Sequence, residues 1–159
     1  MVAQEFSLAL PHRVRSLALV NTTSRLEEED SLRNIEDMLR RLLADLRRTM
    51  PGEDPSTLAR CTRALEASQR EAGYERNFDY MAKVLRFDAS DRICGIRAPT
   101  LVVQGREDTL AVPRYGRHME REIPGAQYHE FEHGDHYVPL HGPGAFNDLL
   151  RSFLRRWSV

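Results

Sequence analysis

The stretch IRAPTLVVQGRED, running from Ile96 to Asp108, decides the fold. Ala98-Pro99 leads into Thr100 to Val103, where apolar residues follow one another instead of alternating. That pattern suits a strand covered on both faces, as in a parallel sheet. Gly105 ends the strand, and Arg106, Glu107 and Asp108 follow at its carboxyl tip. In an open parallel sheet the carboxyl ends of the strands lie along one edge, where ligands and reactive groups gather. An acid in that place is a candidate for chemistry.

Downstream, Val112 to Glu122 reads as a helix stopped before Pro124-Gly125. Ala126 to Phe131 makes another strand, a turn follows at Gly134, and His136 comes next. Ala145 to Trp157 closes the chain as a helix with Phe146, Leu149, Leu150, Phe153 and Leu154 on one face. Upstream, Met1 to Leu10 places Val2, Phe6 and Leu10 on one helical face, and Pro11 stops it. Val14 to Val20 is a further buried strand, ended by Asn21. Helix, turn, strand, then strand, helix, strand, helix predicts an α/β fold with about three parallel strands and flanking helices.

Residues 24–87 have a different character. Ser24 and Glu27 fit a capping box, and Leu32, Ile35, Leu39, Leu42, Leu43 and Leu46 form a stripe at helical spacing. Asp54-Pro55 starts a second helix, and Phe78, Met81 and Leu85 suggest a third. The expected organisation is therefore a core from residues 1–23 and 88–159, with a helical insert at 24–87.

The bulk numbers narrow the function classes. The 159 residues suit one domain, and a net charge of −1 gives no electrostatic case for nucleic acid or an anionic membrane. No apolar run is long enough to span a bilayer, and no signal peptide is evident after Met1. Cys61 and Cys94 form no paired motif and read as reduced packing residues, which together with these features suggests a cytoplasmic location. His129, His133, His136 and His141 lie close in sequence, but their spacing follows no zinc pattern. The phosphate-cradling patterns G-x-G-x-x-G and G-x-x-x-x-G-K do not occur, so neither a metal nor a cofactor is expected.

Asp108 and His136 stand at neighbouring strand ends, 28 residues apart, with room between them for one helix and one strand. A carboxylate behind an imidazole fixes its tautomer and stabilises the imidazolium formed when it takes a proton. Two bland readings stand beside this one. Asp in a glycine-rich turn commonly holds only its own backbone, and a loop histidine is commonly a surface residue.

These segments resemble the α/β-hydrolase family. Ile96 to Asp108 is similar to the segment that ends in the triad acid, and Gly125 to Leu154 to the one carrying the triad histidine and the terminal helix. Phe146 and Asn147 match the start of that helix, whereas His141-Gly142-Pro143-Gly144 departs from the usual acid-and-proline version. MVAQEFSLALPHRVRSLALVNT, Met1 to Thr22, resembles the helix and strand that follow the nucleophile elbow, and the insert lies where such enzymes carry a cap. The resemblance implies a partial α/β-hydrolase fold with Asp108 as triad acid and His136 as general base. It also implies a small apolar ester-like or lactone substrate.

One departure matters. No G-x-S-x-G elbow occurs in the 159 residues. Ser7 falls inside the first helix, Ser16 at the start of a strand and Ser24 at the insert. The oxyanion-hole donors that go with the elbow are missing too. The expectation is a truncated form with little or no turnover of its own. The alternatives are a non-catalytic ligand- or partner-binding module on a half hydrolase fold, or a split enzyme completed by another chain. The strand at 14–20 would then present an unpaired edge, inviting self-association.

Overall fold

The Leu- and Val-rich runs do form a parallel sheet in the computed structural model, which describes residues 1–26 and 86–157. Strand β1 is Leu17–Val20, β2 is Thr100–Gly105 and β3 is Gln127–Phe131. Their order is β1-β2-β3 with both pairings parallel; Leu17 lies opposite Thr100, and Leu101 opposite Gln127. All six residues of the central strand β2 are buried, which is why its apolar residues run consecutively.

The helices are α1 (Val2–Ala9), α2 (Pro113–Glu122), α3 (Val138–His141) and α4 (Pro143–Trp157). Short 3-10 turns at Pro11–Arg13 and Ile93–Gly95 link them to the strands. Two apolar layers flank the sheet. Leu17, Leu19 and Val102 pack with Ile93, Ile96, Met119 and Ile123 on one side. Leu101 and Val103 pack with Val138, Phe146 and Phe153 on the other. Helix α2 approaches β2 and β3 closely at Gly116, where a Cβ would sit 3.0 Å from both Gln104 Oε1 and Tyr128 Cε2.

Several expectations need correction. Helix α1 turns its Gln4 and Ser7 side inward, while Val2 is 85% and Phe6 43% exposed. Gln4 is accommodated because its Nε2 donates to the Thr23 carbonyl at 3.0 Å and meets Met119 Sδ at 3.4 Å. Strand β1 is fully covered on one face only: Leu17 and Leu19 are buried, whereas on the other face Ala18 is exposed and Val20 is partly buried against the second layer. Cys94 is an exposed free thiol and not a packing residue. The short helix α3 has no counterpart in the sequence reading, and α4 starts two residues before the expected Ala145.

Of the expected insert, Ser24 is buried and its carbonyl accepts from Ala89 N at 2.8 Å. Arg25 and Asp88 form an isolated antiparallel bridge. The expected helices behind them, and Glu27 and Cys61, lie outside the described residues. Among the described residues no helix is long and apolar enough to cross a membrane.

Candidate active site

Parallel pairing brings the ends of β2 and β3 side by side, and the loops that leave them are laced together. Arg106 N donates to the Phe131 carbonyl at 2.9 Å, and Glu107 N to the Gly134 carbonyl at 2.8 Å. Gly105 permits this approach. A Cβ there would lie 2.4 Å from the carbonyl oxygens of both Gly134 and Asp135.

At this junction His136 Nδ1 lies 2.9 Å from Asp108 Oδ2. The Asp108 carboxylate is fully enclosed, whereas the imidazole is 30% exposed. Each oxygen of Asp108 has its own task. Oδ1 accepts from Leu110 N at 2.8 Å and Ala111 N at 2.9 Å, an Asx turn. Oδ2 faces the imidazole and also accepts from Gln104 Nε2 at 3.2 Å. The turn reading and the pairing reading of this aspartate are thus both satisfied by one side chain.

Backbone N–H and amide donors converge on the carboxylate, an arrangement in which a hydrogen on Nδ1 would point at Oδ2 and Nε2 would be the free acceptor of the ring. A buried carboxylate in that position can orient the ring, the geometry of an acid–histidine pair. Tyr137 meets the His136 ring edge-on at a centroid distance of 5.5 Å.

Two residues of this junction were not singled out in the sequence. Gln104, buried in β2, donates to the Ala111 carbonyl at 2.6 Å as well as to Asp108, so it braces both ends of the turn. Its one signal was a polar residue within an apolar strand. Asn21, at the end of β1, donates to the backbone carbonyls of Asp135 and His136. Its signal was a lone Asn after an apolar run, a residue that tolerates the left-handed conformation it adopts, φ 43°.

The remaining candidates are dispersed. His129 is exposed on β3 and stacks edge-on against Phe131, while His133 is 90% exposed and 3.9 Å from Glu107. Among the described residues no group of three His, Cys, Asp or Glu side chains could hold a metal. Ser7 Oγ donates back to the Ala3 carbonyl at 2.8 Å within α1, and Ser24 is buried. Beside the site, Glu130 is clasped by Tyr128, Arg106 and Arg117 at 2.6, 3.0 and 2.7 Å. The Tyr128 hydroxyl and then the two guanidinium groups hold its carboxyl down at about 2.

Comparison with known proteins extends these observations. The chain is 30% identical over 166 aligned positions to the protein named "Putative carbamate hydrolase RutD" from Azorhizobium caulinodans, covering 96% of this chain and 62% of that one. It is 33% identical over 89 positions to 2-hydroxy-6-oxo-6-phenylhexa-2,4-dienoate hydrolase from Burkholderia cepacia, covering 54% of this chain and 31% of that one. Among solved structures, Est816, described as an N-acyl homoserine lactone degrading enzyme, is 27% identical with a TM-score of 0.73, covering 96% of this chain and 63% of that one. A hydrolase from Pseudomonas aeruginosa PA01 is 25% identical with a TM-score of 0.75, covering 96% of this chain and 60% of that one. The chain thus spans about three fifths of the length of the first of these relatives and of both solved structures. The model of the alpha/beta hydrolase fold matches residues 1–143, and the chain belongs to that family.

Proposed function

We propose that this chain supplies the acid and the base of a hydrolase that cleaves an ester, lactone or carbamate-like bond. Asp108 orients His136, which takes a proton from a nucleophile and then returns it to the leaving group. The observation that carries this reading is the 2.9 Å approach of His136 Nδ1 to a fully enclosed carboxylate at neighbouring strand ends. The substrate class draws on the lactone and carbamate in two relatives' names. The nucleophile is not among these 159 residues, which contain no G-x-S-x-G. The chain alone therefore has little or no turnover, as a truncated form would. Residues 24–87 act as a cap over a small apolar substrate, and residues 1–23 with 88–159 form the core. The site uses no metal or cofactor, and the protein works in the cytoplasm.

The coding DNA upstream of Met1 tests the reading. An in-frame G-x-S-x-G a few codons earlier should yield a longer protein that reacts with a fluorophosphonate and hydrolyses simple esters or lactones. In that protein His136→Ala should abolish turnover. Full activity of the His136→Ala protein would overturn the assignment. Labelling of the present chain would contradict the absence of an activated serine.

The outer edge of β1 favours self-association. Among the described residues β1 pairs with β2 alone, and an unpaired strand edge is a template for another chain. Gel filtration should show species larger than 18.4 kDa; a single monomeric peak would contradict this.

A further inference from the structure

We propose that Asn21 is a positioning residue that fixes His136 against Asp108; this rests on the reading of those two as base and acid. Asn21 stands at the end of β1, 7% exposed, with φ 43°. Its backbone N–H donates to the Val103 carbonyl at 2.9 Å, which secures it to β2. Its side-chain Oδ1 accepts from Gly105 N at 2.9 Å. Its Nδ2 donates to the carbonyl of Asp135 at 3.0 Å and to that of His136 at 2.6 Å.

One carboxamide therefore ties the end of β1 to the end of β2 and to the loop leaving β3. Asp108 holds the imidazole ring, and Asn21 holds the backbone that carries it. Few other side chains could do this. The site asks for two donors and an acceptor on one short planar group, in a residue that tolerates positive φ. Aspartate would turn an acceptor toward two carbonyls. Glycine would keep the backbone conformation and remove all three side-chain bonds. Because the bonds go to main-chain atoms of residues 105, 135 and 136, they set where the His136 backbone sits regardless of the ring's own rotamer.

The test is ¹⁵N and proton NMR of the His136 ring in the unsubstituted chain, in Asn21→Gly and Asn21→Asp, and in Asp108→Asn as reference. Ile123→Val, in the core, is the control for general destabilisation. In the unsubstituted chain and in Ile123→Val the ring should hold one tautomer with a slowly exchanging Nδ1 proton. In both Asn21 variants that proton should exchange about tenfold faster or more, as expected for a lost hydrogen bond, and the ring should leave its single tautomer. Unchanged exchange and tautomer in both would overturn the proposal.

A measurement without substitution keeps it decidable if the variants fail to fold. The Nδ2 protons of Asn21 should exchange slowly and show coupling across the hydrogen bonds to the carbonyl carbons of residues 135 and 136. Fast-exchanging, averaged Nδ2 protons would equally overturn it. Asp108→Asn separates the two levels. If it leaves the ring unchanged, the acid–base reading falls. If it switches the tautomer and the Asn21 variants do not, only the role of Asn21 falls.

Discussion

Replacing Gly105 by alanine should separate the two halves of the site. The added Cβ would lie 2.4 Å from two backbone carbonyl oxygens, those of Gly134 and Asp135, and 2.6 Å from the Gly134 carbonyl carbon. Ordinary contact needs about 1 Å more, and main-chain atoms cannot rotate away as a side-chain tip can. Either the β2 end or the histidine loop must retreat. A retreat of that size carries the 2.9 Å contact of His136 with Asp108 beyond hydrogen-bond range. It also strains the Asn21 bonds to residues 105, 135 and 136.

Overpacking of this kind costs about 1–3 kcal/mol. Losing two or three buried hydrogen bonds adds about 1 kcal/mol each. The total of about 3–6 kcal/mol is a large part of a typical domain's stability. In a urea titration the midpoint should fall by about 1.5–3 M at an ordinary slope. Gly144→Ala serves as the contrast, since a Cβ there meets nothing within 4 Å, and its midpoint should be unchanged or slightly higher. If Gly105→Ala melted with Gly144→Ala, the close approach of the two loops would be refuted.

Gln104→Glu conserves volume but sets a second buried carboxylate where the amide now donates to Asp108 Oδ2 at 3.2 Å. An uncompensated buried charge costs about 3 kcal/mol or more, so the variant should be strongly destabilised at neutral pH and recover as acid neutralises the new group. Equal stability to the parent at neutral pH would contradict the geometry. Glu130 gives a separate pH signature, because its carboxyl is lowered from 4.5 to about 2 by Tyr128 and then by Arg106 and Arg117. A depressed carboxyl stabilises the fold above its unfolded value and loses that contribution as pH falls through the folded one. Between about pH 5 and about pH 2 the parent should therefore lose more stability than Glu130→Gln in urea titrations. Parallel losses would show that the clasp contributes nothing.

What the sequence disclosed, and what it hid, follows from the range of the forces involved. The central strand was legible because Leu101, Val102 and Val103 meet apolar layers on both sides, so burial leaves a consecutive run. The nearness of residues 108 and 136 was legible because parallel strands bring their carboxyl ends to one edge. The inward side of α1 was misread. Periodicity weighed Val2 and Phe6, but could not foresee that Gln4 finds the Thr23 carbonyl and Met119 Sδ, the latter 115 positions away. The same blindness hid Asn21, whose partners are 114 and 115 positions distant. It hid Gln104 as well, since a polar residue in a strand declares no partner until the turn closes over it. Helix α3 is a single turn of four residues and leaves no periodic trace.

The ¹⁵N spectrum of the His136 imidazole in the unaltered chain tests the central claim most directly. The account predicts one tautomer, with hydrogen on Nδ1, bare Nε2 and a downfield proton bonded to Asp108. Hydrogen resident on Nε2, or a ring averaging freely between its two neutral forms, would contradict it.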